Sequence, residues 1–232
     1  MLDRILGFEY TLWLVAFAFY AFDVGVVARA DDLLFVESWK RLRPILARVP
    51  FSFRGGDLYW VAPLAPFLAV FRGGLTGASQ TAADPAAANL PAADAATQAA
   101  LAAIGNARAR LWPFRWTSTL IFVLLFIAGP ALTAWRGLGL AALIVLPPAY
   151  LISLVGVVFM VRRATVFGLN RRALWSLGFD SLACIPYAAN LTKRVALRLD
   201  GSGRAEAWMQ CGALPEEVAH VHAVLAERKA QS

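Results

Sequence analysis

The residue that most suggests chemistry in this sequence is Asp23, a carboxylate within an otherwise uncharged apolar segment, Tyr10–Val27. A charged side chain is costly inside a lipid bilayer, and acids retained there often line a path for protons or ions. A structural role is the simpler interpretation, because Asp23 lies about one helical turn from the end of the segment, where it can reach water or Arg29. We therefore treat Asp23 as a candidate functional intramembrane acid and favour the structural role.

Cysteine and histidine could form a metal site or supply a nucleophile, and the chain contains two of each: Cys184, Cys211, His220 and His222. Four such ligands would be enough for zinc. The two histidines, however, are two positions apart and point to different faces of a helix, and the cysteines are far apart in sequence. Cys184 has apolar neighbours, among which a thiol tends to be inert. We expect two free thiols, no metal site and no bound cofactor.

The common catalytic and phosphate-binding motifs are absent from the sequence. It contains no Gly-x-Ser-x-Gly nucleophile motif, no Gly-x-x-x-x-Gly-Lys phosphate loop and no Gly-x-Gly-x-x-Gly fingerprint. The glycines of Gly201–Gly203 precede a strand-like run and are expected to form a plain turn. No catalytic residue is therefore predicted, and a non-enzymatic role is favoured. An enzyme that acts on lipid at the inner leaflet, with Asp180 or nearby arginines, is kept as an alternative.

The composition of the chain is that of a membrane protein. Of its 232 residues, 59% are hydrophobic and only 16% are charged, and the mean hydropathy is +0.60. A soluble domain has about 25% charged residues, because its surface must be hydrated. Surface that faces lipid needs no charge. The composition thus excludes an ordinary soluble domain, and the bulky aromatics of the first apolar segment argue against a cleavable signal peptide.

Two apolar segments in the second half are each long enough to cross a bilayer. The first, 116–135, carries no charge and is flanked by tryptophans that match an interfacial aromatic belt, Trp112, Trp116 and Trp135. The second, 138–161, contains Pro147 and Pro148 near its middle, which are expected to kink it. Only two residues separate the segments, so they are predicted to form a tight helical hairpin. Together with Tyr10–Val27 they make three predicted membrane-spanning helices.

The basic residues predict the orientation, because cytoplasmic loops carry an excess of lysine and arginine. The net charge is +7, and four arginines follow the last apolar segment without an intervening acid: Arg162, Arg163, Arg171 and Arg172. The turn between the last two segments contains only Arg136. The long 30–115 stretch and the C-terminal part are therefore predicted to be cytoplasmic and the N-terminus outside. We expect the four arginines to contact anionic headgroups of the inner leaflet.

Five regions follow from this topology. Residues 1–29 hold the N-terminal segment and the first spanning helix. Residues 30–75 are expected to be cytoplasmic strands and turns, with a β-hairpin at 51–61 and an interfacial or re-entrant segment at 58–71. An Ala-rich linker, helical at its end, is predicted at 76–110. Two regions follow: the membrane hairpin at 111–161, and a cytoplasmic part at 162–232 with an amphipathic segment, a β-hairpin and a C-terminal helix.

Two details of this scheme concern the cytoplasmic parts. Strands near 33–61 and 195–211 could share one small sheet. The basic run between Lys40 and Arg54, near Trp39 and Phe51, could attract nucleic-acid phosphates and stack on bases. Three spans would hold that run beside anionic lipid, so lipid is the expected partner and nucleic acid is not.

The sequence as a whole predicts a mainly α-helical membrane protein with three transmembrane helices and a small α/β cytoplasmic region. The predicted location is a bacterial inner membrane. The favoured function is that of an accessory or scaffold subunit whose cytoplasmic surface meets a protein partner. The alternative is a subunit of an oligomeric transport system, since three helices are too few to enclose a pathway alone; Asp23 would then line the path.

Overall fold

The computed structural model describes residues 8–28, 32–38, 41–44, 52–53, 56–60, 64–74, 102, 105–106, 108–198 and 219. The protein is mostly helical and has two long apolar helices that could span a membrane. The N-terminal helix α1 is Phe8–Val24, and six strands follow it: β1 Gly25–Ala28, β2 Asp32–Ser38, β3 Arg41–Pro44, β4 Ser52–Phe53, β5 Gly56–Trp60 and β6 Val70–Gly74. Five further helices are described: α2 Trp112–Arg136, α3 Leu138–Arg162, α4 Arg171–Ala183, α5 Ile185–Ala188 and α6 Leu191–Leu197.

The long helices α2 and α3 form the predicted hairpin. Gly137 joins them with φ of +83°, a backbone conformation that a residue with a Cβ atom adopts only under strain. A π-helical turn at Leu124–Ala128 precedes Pro130, which has no N–H for the helical ladder, so the wider turn takes up the change in hydrogen bonding. Helix α3 continues through Pro147 and Pro148.

Both long helices expose apolar side chains. Only 33% of the most apolar part of α2 and 28% of that of α3 is buried, whereas the core helix of a soluble protein is mostly buried. Large side chains such as Trp135, Leu143 and Leu151 lie at least 60% exposed on the outer faces. Exposed apolar surface of this extent indicates contact with lipid or with another protein.

Helix α1 packs along α2 in the antiparallel direction. Near its start, Trp13 lies against Gly129, and the indole Nε1 donates a hydrogen bond to Thr133 Oγ1 at 2.8 Å. Farther along, Tyr20 is fully buried and its ring contacts that of Phe126. The helix ends at Val24, three residues before the predicted end, because the following residues pair with β5 as strand β1.

Helices α4, α5 and α6 form a second, shorter hairpin beside the long one; it is called the short hairpin below. Helix α4 runs back along α3, so that Gly178 lies against Val157 and the hydroxyl of Ser153 donates to the carbonyl of Ser181 at 2.9 Å. Helix α6 then returns along α2. The strand expected near 195–211 is wrong for Val195–Leu197, which are helical because burial of Val195 and Ala196 in the core outweighs the strand propensity of Val195.

The strands form two antiparallel sheets of three strands each, ordered β1-β5-β4 and β3-β2-β6. The ends of the predicted interfacial segment 58–71 lie in strands of different sheets, β5 and β6. In β2, Leu34 and Phe35 are both buried, on opposite faces, which explains the poor alternation of its sequence. Phe35 belongs to the core that also contains Phe114 of α2, so this sheet packs against the end of the long helices.

Candidate functional site

Asp23 lies in the last turn of α1 and belongs to an ionic cluster inside the helical part. The guanidinium of Arg194 places its Nε 3.8 Å from Asp23 Oδ1 and its Nη2 2.5 Å from Asp180 Oδ2. The side chains of Asp23 and Arg194 are each 16% exposed. One arginine of α6 thus lies between a carboxylate of α1 and a carboxylate of α4. We call Asp23, Asp180, Asn190 and Arg194 the Arg194 cluster.

Local structure positions these groups. Asn190 directly precedes α6, is fully buried, and donates from Nδ2 to the carbonyl of Tyr20 in α1 at 3.2 Å. Arg194 follows one helical turn later and lies on the same side of the helix. Lys193 is 2% exposed and interacts electrostatically with Asp23. Two acids and two bases are therefore gathered where α1, α4 and α6 meet.

The position of the Arg194 cluster along the axis of α2 follows from a contact between α6 and α2. In α6, Thr192 Oγ1 lies 3.0 Å from Ser118 Oγ of α2. Ser118 is six residues after Trp112, or about 9 Å along the helix axis. The Arg194 cluster thus lies about two turns inward from the end of α2 that Trp112 marks.

Three polar atoms of the cluster are buried without a hydrogen-bond partner in the described part of the chain: Asp23 Oδ2, Asn190 Oδ1 and Arg194 Nη1. Buried polar groups are almost always hydrogen bonded, so such atoms require an explanation. Two acceptors and one donor at one place could bind a small polar molecule such as water. The unpaired carboxylate oxygen could also accept a proton.

A second ionic cluster lies at the end of α2, where the sheet meets the helices. Glu37 of β2 is 6% exposed. Its Oε1 accepts a hydrogen bond from Arg108 Nε at 2.8 Å, and its Oε2 accepts a short one from Arg115 Nη2. The backbone N–H of Glu37 donates to the carbonyl of Ala69 at 2.9 Å, which fixes the strand there. We call Glu37, Arg108 and Arg115 the Glu37 cluster.

The Glu37 cluster borders a cavity of about 740 Å³. Trp112 and Trp116 form much of its apolar wall; their ring centroids are 5.0 Å apart, and each side chain is about half exposed. The polar end is formed by the side chains of Arg108 and Arg115, which are 24% and 30% exposed, whereas the Nε atom of Arg115 is buried and has no hydrogen-bond partner in the described part. The cavity therefore combines a cationic end with aromatic walls.

The four arginines predicted to contact lipid have different surroundings. Arg162, Arg171 and Arg172 are exposed. Arg163 donates from Nη1 to the carbonyl of Arg110 at 3.0 Å. This bond joins the chain just before α2 to the chain just after α3. The structure contains no lipid, so contact with headgroups stays a prediction.

The remaining predicted residues are only partly described. Cys184 is a half-buried free thiol, whereas Cys211, His220, His222 and Arg29 lie outside the described residues. Within the described ranges, no group of three or more His, Cys, Asp or Glu side chains could hold a metal ion. Of the basic run between Lys40 and Arg54, the backbones of Arg41 and Arg43 lie in β3.

Sequence reasoning missed the partners that define both clusters. Arg194 and Asp180 were expected in an amphipathic segment that lies along the inner leaflet or folds against the helices, Asp180 also as a residue of the alternative enzyme, and Glu37 was expected in a strand. One signal was present: Arg108 and Arg115 are seven residues apart, which places them on one side of a helix. The carboxylate that joins them lies 71 and 78 positions away, beyond any local pattern.

The comparisons give no relative from which a role could be transferred. No protein-family model matches the chain, and neither the comparison with curated proteins nor that with solved structures found a match. The functional argument consequently depends on the chemistry of the two clusters and on the exposed apolar faces.

Proposed function

We propose that the chain is a three-span protein of a bacterial inner membrane that serves as a non-enzymatic accessory or scaffold subunit. Its N-terminus lies outside, and its C-terminal part and the sheets lie in the cytoplasm, where a partner binds. The observation that carries this proposal is the position of Arg194 between Asp23 and Asp180. Together with Lys193, which also interacts with Asp23, Arg194 balances the two carboxylates between α1, α4 and α6, so these charges join elements of one chain.

The outer surfaces support the same role. Charges are paired inside, while α1, α2 and α3 present large exposed apolar side chains, for example Phe22 at 78% and Leu143 at 70%. Lipid covers such faces in a lone protein, and the helices of a partner subunit cover part of them in a complex.

Helix α1 is the shortest of the three proposed spans. Its 17 residues extend about 25 Å, and the hydrocarbon core is about 30 Å thick. Local thinning of the bilayer accommodates a difference of a few Å. The short hairpin enters the same layer as a re-entrant element, since Ser181 bonds to Ser153, nine residues from the end of α3.

Topology and assembly can be tested separately. Fusion of alkaline phosphatase after Arg136 should be active, and fusion of it after Ser232 inactive, because that enzyme works only outside the cytoplasm. The opposite pattern would reject the orientation. Purification in a mild detergent, followed by mass measurement, then addresses the role. A stable complex with a different chain is expected; a homo-oligomer alone would contradict the scaffold proposal and favour transport.

A transport subunit is the second candidate, favoured by three buried polar atoms, one of Asp23 and two of its neighbours, that have no hydrogen-bond partner among the described residues. In proteoliposomes that contain a pH-sensitive dye, a transport role predicts an ion or proton flux that Asp23→Asn abolishes without loss of membrane insertion. Equal flux in the wild type, Asp23→Asn and protein-free vesicles would reject it.

A further inference from the structure

The Glu37 cluster retains a positive charge after its internal ion pairs are formed. Two guanidinium groups share one carboxylate, which leaves a net charge of about +1. Each arginine donates from one nitrogen to Glu37, and the side chains of Arg108 and Arg115 are still 24% and 30% exposed where they line the cavity, so other N–H groups can be reached from it. A guanidinium with free donors binds planar or tetrahedral oxyanions well, phosphate in particular. The cluster can therefore accept an external anion.

The shape of the cavity indicates what else the ligand contains. Its volume of about 740 Å³ lies within the usual range of ligand sites, about 300–1,000 Å³. From the cationic end, exposed apolar side chains continue along α2 at steps of four and three residues: Trp112, Trp116, Leu120 and Val123. Such spacing places them in one row on the helix surface. A soluble anion would use only the charged end, whereas an amphiphile fits the charged end and the apolar row together.

We propose that this groove binds one anionic phospholipid, with the phosphate at Arg108 and Arg115 and an acyl chain along Trp116, Leu120 and Val123. The inference depends on the proposed membrane location and adds a specific ligand site to it. Trp112 and Trp116 line the groove and lie at the start of the span α2. Tryptophan is typical of the headgroup level of a membrane, because its ring is apolar and its N–H is polar. Lipid binding there would hold the sheet region against the membrane face.

The test compares lipid affinity in variants of opposite expected effect. The full chain, delipidated in detergent, is titrated with phosphatidylglycerol, and the first binding event is followed by native mass spectrometry. Loss of a charge-assisted contact in Arg115→Gln should weaken binding about tenfold. Glu37→Gln removes the competing carboxylate and should strengthen binding severalfold. Arg136→Gln, the same charge change at an exposed position at the far end of α2, should change affinity less than about twofold.

Opposite shifts separate ligand binding from misfolding, because a misfolded variant would lose affinity in both cases. Equal affinity of wild type, Arg115→Gln and Arg136→Gln would overturn the site. Two further probes identify the ligand class. Phosphatidylcholine should bind at least several-fold more weakly; equal binding would reject a preference for anionic lipid. Glycerol phosphate should not displace the lipid at equal concentration, and displacement would assign the site to a soluble phosphate instead.

The membrane proposal is checked independently by extracting membranes with alkaline carbonate. Retention of the chain in the membrane, together with no lipid preference, would reject only the groove. Release of the chain would reject both proposals. The variant Trp116→Ala keeps both arginines, so it should weaken phosphatidylglycerol binding and leave any binding of inorganic phosphate unchanged; an unchanged lipid affinity would reject the acyl-chain row.

Discussion

The two ionic clusters of this protein have inverse compositions. In the Arg194 cluster one guanidinium lies between two carboxylates, and in the Glu37 cluster one carboxylate lies between two guanidinium groups. They also differ in exposure. Asp23 and Arg194 are each 16% exposed and enclosed by three helices, whereas Arg108 and Arg115 are 24% and 30% exposed beside an open cavity.

This difference in exposure implies different roles for the arginine–carboxylate ion pairs of the two clusters. A buried charge that loses its partner costs about 3–5 kcal/mol, whereas a solvated pair contributes about 0–1 kcal/mol. The enclosed cluster should therefore control stability, and the open cluster should control binding. The predictions below test that division, beginning with the largest expected effect.

Replacement of Arg194 should destabilise the protein most. In Arg194→Gln, Asp180 and Asp23 lose their shared cation, and Asp23 is still enclosed by the surrounding helices. The free energy of unfolding should fall by about 3–5 kcal/mol. Thermal unfolding in detergent, followed by circular dichroism, measures the change. Arg172→Gln, an exposed position of α4, is the matched control and should stay close to the wild type; equal effects of the two variants would contradict an enclosed cluster.

Enclosure by α1 requires close packing on α2, and Gly129 tests it. A Cβ atom there would lie 2.6 Å from the ring of Trp13, so Gly129→Ala forces the helices apart. Overpacking of this kind costs about 1–3 kcal/mol. Gly139→Ala has nothing within 4 Å of the new Cβ and should stabilise α3 by up to about 1 kcal/mol. A melting temperature that rises in both variants would show that α1 does not pack as described.

The sequence made one part of this arrangement predictable. The uncharged runs before and after Arg136–Gly137 are long enough to span a bilayer and too closely spaced for any connection but a tight turn. The structure has both helices, extended slightly to Trp112–Arg136 and Leu138–Arg162. Composition and spacing were sufficient to predict these two helices, because length and apolarity are properties of each segment alone and do not depend on contacts with distant residues.

The clusters were not predictable for the converse reason. Asp23 was identified as unusual, but its cation follows 171 positions later, at the end of an amphipathic segment for which contact with the inner leaflet and packing against the helices were both left open. The first helix was also expected to continue to Val27. The apolar residues up to Val27 predicted a helix of that length, but Gly25–Ala28 pair with β5 as strand β1, and the helix ends before them. Contacts between residues far apart in the chain leave no periodic signal in a single sequence.

The two carboxylates of the Arg194 cluster should contribute unequally. Asp180 bonds Arg194 at 2.5 Å, while Asp23 lies 3.8 Å away. Asp180→Asn should cost about 1 kcal/mol, since a third of its side chain is exposed and solvent reduces the loss. Asp23→Asn should cost less than Asp180→Asn, because it removes a buried charge together with a long ion pair. Measured with the same unfolding assay, the reverse order would assign the main ion pair to Asp23.

The smallest expected effect on stability belongs to the open cluster. Arg115→Gln leaves Glu37 paired with Arg108, and the vacated groove is open to water, so unfolding should change by about 0–1 kcal/mol. The same variant is expected to lose affinity for phosphatidylglycerol. The decisive measurement is the difference between the two variants in free energy of unfolding: a large loss is expected for Arg194→Gln and a small loss for Arg115→Gln. If Arg115→Gln unfolded as readily as Arg194→Gln, the Glu37 cluster would have to be a structural ion pair, and its remaining positive charge would serve no ligand.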